Sequence, residues 1–421
     1  MTLSSSGERV AERSEAGRGA GAATSPSPAA DGGTLSPEGE REEDDLALYI
    51  HWPFCVSKCP YCDFNSHVRD SVDQAQWRAA LLADLAHEAA LLPGRRLTSI
   101  FFGGGTPSLM EPQTAAALID AAAGLWRVAE DVEITLEANP SSVEAARFSD
   151  LAAAGVNRVS LGLQSLRDEA LQFLGRAHGV AEGLAALETA QRAFRRVSFD
   201  LIYALPGQTR DAWEAELAEA LSFGTEHLSL YQLTIEPGTR FATLAARGEL
   251  PAPDPDHCAD LFELTGAMTQ AAGLPRYEVS NHARPGAQSR HNLAYWRMDD
   301  YAGIGPGAHG RRRGMATQRH RKPENWLGAV ARNAHGLVEE TPLPARERAV
   351  EGLLMGLRLS DGVDLERLSA RTGIPADGLV ELAAVQRLER QGLVAREGPR
   401  LRVTDAGMLL LDAILGEIVA A

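Results

Sequence analysis

Lysine is almost missing from this chain: Lys58 and Lys322 are the only two, and arginine supplies the rest of the basic side chains. That bias reads as the codon usage of GC-rich DNA and carries no chemistry. Basic residues are also outnumbered, 41 against 57 acids for a net charge of −16, which speaks against nucleic acid or an anionic membrane as partner, since both favour a basic surface. No stretch approaches the ~20 apolar residues that span a bilayer, so no integral membrane segment is expected, and the N-terminus lacks the charged-then-apolar layout of a secretory signal. A cytoplasmic protein with reduced thiols is the expectation. Cysteine is scarce as well, at four residues.

Three of those four fall within eight positions, in the run Tyr49-Ile50-His51-Trp52-Pro53-Phe54-Cys55-Val56-Ser57-Lys58-Cys59-Pro60-Tyr61-Cys62-Asp63-Phe64. Pro53 and Pro60 hold the backbone out of helix, so Cys55, Cys59 and Cys62 can turn inward on one soft metal centre. A structural zinc would add His67, at a finger-like distance, as fourth ligand. A disulfide would need an oxidising compartment. An iron-sulfur cluster normally takes four cysteines, so three leave one iron open.

At 44% hydrophobic, 421 residues suffice for one large domain and a smaller one. Residues 1–45 hold Ser, Gly, Ala, Pro and charge, ten acids against four arginines, and are expected to be a disordered extension. From Leu46 short apolar runs alternate with amphipathic helices, the pattern of a parallel sheet under helices. Strands beginning near Leu46, Thr98, Val132, Arg158, Val197 and His227 give six β/α units, an α/β partial barrel over 46–238. Ligands of such barrels gather at the C-terminal ends of the strands. There lie the cysteine loop, Gly103-Gly104-Gly105-Thr106-Pro107, Glu137-Ala138-Asn139-Pro140, Gln164, Arg176 and Asp200. Glycines allow close backbone approach to a ligand, and a carboxylate at Glu137 can accept two ribose hydroxyls.

After Leu233 the β/α rhythm is expected to stop, with Cys258 in a core helix. The stretch 239–345 carries His282, His291 and His309 beside Tyr295 and Trp296, an axial nitrogen and flat apolar surface for a macrocycle. Arg311, Arg312, Arg313, Arg319, Arg321 and Lys322 suit either propionates or a solvated basic edge. Residues 346–421 read as helices, two short strands around Gly398 and a last helix, a winged-helix-like domain whose mixed-charge third helix speaks against DNA.

C-x3-C-x2-C with Tyr61 before the last cysteine resembles the radical SAM superfamily. The resemblance implies a 4Fe-4S cluster on Cys55, Cys59 and Cys62, with S-adenosylmethionine chelating the open iron. From Leu46 to the C-terminus the chain is similar to the oxygen-independent coproporphyrinogen III dehydrogenase branch. There Tyr49, Tyr61, Gly104, Gly105, Thr106, Glu137, Gln164, Arg176 and Asp200 match positions contacting S-adenosylmethionine.

The same resemblance divides on function. The dehydrogenases abstract hydrogen from porphyrinogen propionates and carry a further cysteine two residues after the last cluster ligand, where Phe64 stands here. A heme-chaperone group shares the cofactor apparatus, carries His-Asn-x-x-Tyr-Trp and hands heme to acceptor proteins. That motif stands here as His291, Asn292, Tyr295 and Trp296. A heme chaperone without dehydrogenase activity is therefore the expectation, with His291, Tyr295 and Trp296 as candidate heme contacts.

Overall fold

The computed structural model describes residues 44–419. The extension expected over 1–45 lies outside them apart from Asp44 and Asp45, and Asp45 already opens the first strand. That strand, β1 (Asp45–Trp52), buries every residue after its first, as parallel strands covered on both faces do. Beside it run β2 (Arg96–Gly104), β3 (Arg127–Ala138), β4 (Arg158–Gln164), β5 (Arg196–Tyr203) and β6 (His227–Gln232), each parallel to its predecessor. Helices α1 (Gln74–Leu91), α2 (Pro112–Leu125), α3 (Phe148–Ala153), α4 (Val180–Ala193) and α5 (Arg210–Ser222) return the chain between them. Their starts follow local chemistry: the side chains of Asp73 and Thr209 accept first-turn N–H groups of α1 and α5, and Pro112 opens α2. The result is the six-unit partial barrel, with the strand C-termini at one rim.

The sheet continues past both edges of the barrel. After α6 (Pro255–Ala271), the antiparallel strands β7 (Arg276–Glu278) and β8 (Asn281–Ala283) extend it from β6. After α7 (Arg290–Trp296), β9 (Tyr301–Ile304) lies parallel to β1 on the opposite edge, and β10 (His309–Arg312), β11 (Met315–Arg319) and β12 (Leu337–Pro342) follow antiparallel, with α8 (Pro323–Asn333) before the last. The order is β12-β11-β10-β9-β1-β2-β3-β4-β5-β6-β8-β7. The β/α rhythm stops at β6, yet one further parallel strand, β9, joins the opposite edge. Glycines hid β9 because the backbone must come close: a Cβ on Gly303 would lie 1.8 Å from the His309 carbonyl oxygen, and one on Gly305, at φ +95°, 2.3 Å from that of His51.

Arginines of this extension bolt it to α1. Buried Asp84 accepts Arg319 Nε at 2.7 Å and the Gly336 N–H at 3.1 Å, and Glu88 accepts Arg319 Nη2 and Arg312 Nε, both at 2.9 Å. Arg311 pairs with Glu351 at 3.1 Å. Three members of the expected basic cluster are thus tied up in ion pairs and form neither a propionate platform nor a solvated edge.

The C-terminal unit packs α9 (Ala345–Gly356), α10 (Leu365–Thr372), α11 (Leu382–Arg390) and α12 (Leu411–Ile418) around its own apolar core. Its wing has three strands, β13 (Val363–Asp364), β14 (Val394–Glu397) and β15 (Arg400–Val403), one more than expected, in the order β13-β15-β14. Among the described residues no helix is long and apolar enough to cross a membrane.

Candidate functional site

β1 delivers the cysteine loop to the barrel rim, where Phe54–Cys55 pairs in parallel with His67–Val68 and closes the loop at its base. The Asn65 side chain pins it from outside, donating to the carbonyls of Pro306 at 2.9 Å and Arg321 at 3.0 Å. Cys55, Cys59 and Cys62 are free thiols lining one cavity of about 410 Å³. His67 stays outside that cavity, its ring 3.3 Å from Asn65 Oδ1. The zinc alternative thus lacks the fourth ligand it called on. Three thiols on one cavity suit an iron-sulfur cluster, which takes its thiolates on separate irons. Burial pushes the Cys62 thiol up to about 11, with Cys59 and Cys55 adding to the rise. A metal must therefore displace its proton.

The glycine loop is stitched to the cysteine loop, with Gly105 N–H donating to Trp52 O at 2.7 Å and Thr106 N–H to Phe54 O at 2.8 Å. A Cβ on Gly104, at φ +109°, would sit 2.6 Å from the His51 ring, and one on Gly105 2.7 Å from Phe54 O. Protein packing demands these glycines before any ligand does. Gly104 N–H points at Glu137 Oε2, 3.3 Å away at the end of β3.

Asn139, not singled out from the sequence, is the hub of the site. Its backbone N–H donates to Glu144 Oε2 at 2.8 Å, its Oδ1 accepts Arg176 Nη2 at 2.6 Å, and its Nδ2 donates to Thr106 Oγ1 at 3.1 Å. Thr106 Oγ1 in turn reaches Cys55 Sγ, and Arg176 Nη1 reaches Cys59 Sγ, each at 3.4 Å. The only signal was an Asn-Pro step directly after a strand. Gly175, at φ +67°, lets the Arg176 loop approach: its Cβ would lie 2.7 Å from Pro60 Cδ. Arg176 also donates to the Tyr61 hydroxyl at 3.5 Å. Burial would lower its pKa, but Tyr61 and Cys59 hold it above the usual range.

Gln164 leaves β4 at φ +69°, a left-handed conformation that non-glycine residues adopt at a cost, and lines the same cavity. Asp200 lines it and the adjoining space, accepting from Ser160 Oγ at 3.2 Å. Burial raises its carboxyl to about 6, against the opposing effect of Ser229 and Ser160. The cavity thus gathers all the expected residues but Tyr49, whose hydroxyl meets His51 Nδ1 at 2.9 Å and which faces an adjoining lumen.

That lumen, about 110 Å³, is lined by His291, Tyr295 and Trp296, and Phe64 borders both spaces. His291 stacks on Phe101 at 4.8 Å and on Tyr49 at 5.8 Å between ring centres. His291, Tyr295 and Trp296 are 4%, 6% and 3% exposed. Pockets for drug-sized ligands run to about 300–1,000 Å³, and this lumen is narrower. His282 hydrogen-bonds Thr269 Oγ1 at 2.9 Å, and burial lowers it to about 3.

The sequence matches the model of the Radical SAM superfamily over residues 49–220 and that of the HemN C-terminal domain over 343–410. The heme chaperone HemW of Escherichia coli (strain K12) is 38% identical over 379 residues, 88% of this chain and 97% of that protein. Radical S-adenosyl methionine domain-containing protein 1, mitochondrial, of Bos taurus is 41% identical over 382 residues, 88% of this chain and 86% of that one. Coproporphyrinogen III oxidase (HemN) from Escherichia coli superposes with a TM-score of 0.75 over 91% of this chain and 93% of its own at 23% identity, a likeness of fold. With relatives this similar along nearly their whole length, the chain belongs to the radical SAM superfamily, in the family that includes HemW.

Proposed function

We propose that this protein is a heme chaperone, one that binds heme and passes it to acceptor proteins while carrying a 4Fe-4S cluster on Cys55, Cys59 and Cys62 and exchangeable S-adenosylmethionine beside it. One position carries this reading over the dehydrogenase. Phe64 borders both the cysteine cavity and the lumen, where the dehydrogenases have a cysteine, and phenylalanine neither binds iron nor donates a proton. Relatives named as heme chaperones match along 94–98% of their length, which supports the same reading. The fold shared with coproporphyrinogen III oxidase keeps dehydrogenation as the alternative.

The residues present suit the cofactors. Arg176 Nε is buried without a hydrogen-bond partner beside the cavity, a donor left over for a ligand anion. Gly104, Gly105 and Thr106 line the cavity together with Gln164, and Glu137 and Asp200 supply acceptors. Bound there, cluster and S-adenosylmethionine supply one-electron chemistry at a sulfonium. The chain's own part is to keep Arg176 charged beside Cys59, to hold Thr106 against Cys55 through Asn139, and to close the cavity with Tyr61. Free thiols at these cysteines suit a reducing compartment such as the cytoplasm.

The experiment is a heme titration and a coproporphyrinogen III assay on the same anaerobically purified, cluster-loaded protein. Heme binding without conversion is expected. Conversion would restore the dehydrogenase.

A further inference from the structure

Between the end of α7 and the C-terminal unit lies a cavity of about 560 Å³, a volume within the range of sites for organic ligands. Both units line it. Arg297 follows α7, Arg367 and Arg371 stand on α10, and Arg400 opens β15. The cavity shares no lining residue with that of the cysteines.

Its lining sets these four guanidiniums against two carboxylates, Asp361 and Asp364. Asp364 is committed to a helix cap, accepting the Arg367 backbone N–H at 2.9 Å where α10 begins. Asp361 is exposed and stands 3.8 Å from Arg297 Nη2, beyond hydrogen-bond reach, while its backbone carbonyl accepts Arg400 Nη1 at 3.4 Å. Arg367 and Arg371 share one oxygen of Asp299, at 3.0 Å and 2.9 Å. A guanidinium carries five N–H donors, so the four arginines outnumber the acceptor sites of all three carboxylates together.

Trp296 adds a further donor. It lines this cavity as well as the lumen, is 3% exposed, and carries Arg358 over its ring at 4.8 Å. Its buried Nε1 has no hydrogen-bond partner among the described residues. An indole N–H can only donate, and burying one without an acceptor is costly. A ligand that brings acceptor oxygens and negative charge would answer the arginines and the indole alike.

We infer that this cavity is a binding site for a small organic phosphate, which joins the barrel to the C-terminal unit through Arg297 on one side and Arg367, Arg371 and Arg400 on the other. A carboxylate offers this donor set two oxygens, whereas a phosphate offers three and the larger charge. Guanidinium forks fit its geometry in pairs. Bound there, the ligand stabilises the junction of the two units by mass action.

The test is calorimetry of anaerobically purified, cluster-loaded full-length protein with phosphoglycolate at constant ionic strength, with glycolate, which lacks the phosphate, as control. Phosphoglycolate should bind and raise the melting temperature, and glycolate should do neither. An R297Q/R400Q double variant, altered at two exposed positions, should bind ~10-fold more weakly while melting as the ligand-free wild type does. Asp361→Asn removes a competing charge and should bind more tightly, a gain that misfolding cannot produce. No binding by the wild type, glycolate bound as tightly as phosphoglycolate, or a double variant within about twofold of the wild type would each overturn the site and leave the arginines as ties between the two units.

Discussion

Asp200, half-buried, lines the cysteine cavity, and desolvation raises its carboxyl from 3.8 to about 6. A group whose folded pKa is raised contributes stability below its unfolded value, and that contribution is lost as pH rises through the folded one. Asp200→Asn should therefore gain on the wild type with rising pH, by about 1 kcal/mol between pH 5 and pH 8 in urea unfolding of the cluster-free protein. A constant difference would mean that Asp200 is already ionised at pH 5. His291 poses a separate residue-scale question, because it is packed between Phe101 and Tyr49. His291→Ala should cost about 3 kcal/mol of stability in urea unfolding, as a buried ring does. A cost below about 1 kcal/mol would mean that the ring stack contributes little. Gly104→Val is a poor test of cofactor binding, since its side chain would strike His51. Gly175→Ala is the better one: its methyl meets Pro60 and pushes Arg176 off Cys59. Calorimetry on cluster-loaded protein should show weaker S-adenosylmethionine binding, and unchanged affinity would mean that Arg176 serves the cysteine loop alone.

Two carboxylates one turn apart on α1, Asp84 and Glu88, hold the added strands to the barrel through Arg319 and Arg312. Arg319 is fully buried, so removing it leaves two carboxylates short of a partner away from water. Arg319→Met should cost about 3–5 kcal/mol in urea unfolding, read from the fluorescence of Trp77 and Trp326, which stack at 5.2 Å nearby. A loss below 1 kcal/mol would mean that the anchoring lies in the apolar contacts. The barrel elements themselves were legible in the sequence because a doubly covered strand needs a continuous apolar run, as in β1. β9 was not, because Gly303 within it and Gly305 just after it serve close backbone packing and blank out the alternation that marks a strand.

At the scale of the whole molecule, the C-terminal unit completes the core of the barrel's edge. Met355 and Leu359 pack in one cluster with Tyr295, Trp296 and Tyr301, and Asp299 gathers Arg367 and Arg371 across the junction. A chain cut before Ala345 should expose that aromatic surface and bind a hydrophobic dye strongly, with a sharp fall in soluble yield. Full yield with no dye binding would show the barrel to be independent.

The sequence by itself determined the chemistry of the rim. Cysteine spacing, strand-end glycines and the polar residues after each strand are local features, and local features survive in a one-dimensional reading. The tertiary structure alone decided which of those residues meet. Asn139 became a hub only when the ends of β2, β3 and β4 came together around it. The arginines after His309 became internal ties only when Asp84 and Glu88, more than 200 positions earlier, faced them. His291 lost its surface because Tyr49 and Phe101 packed on its ring. Each outcome depends on partners distant along the chain, whose burial and charge no periodicity records.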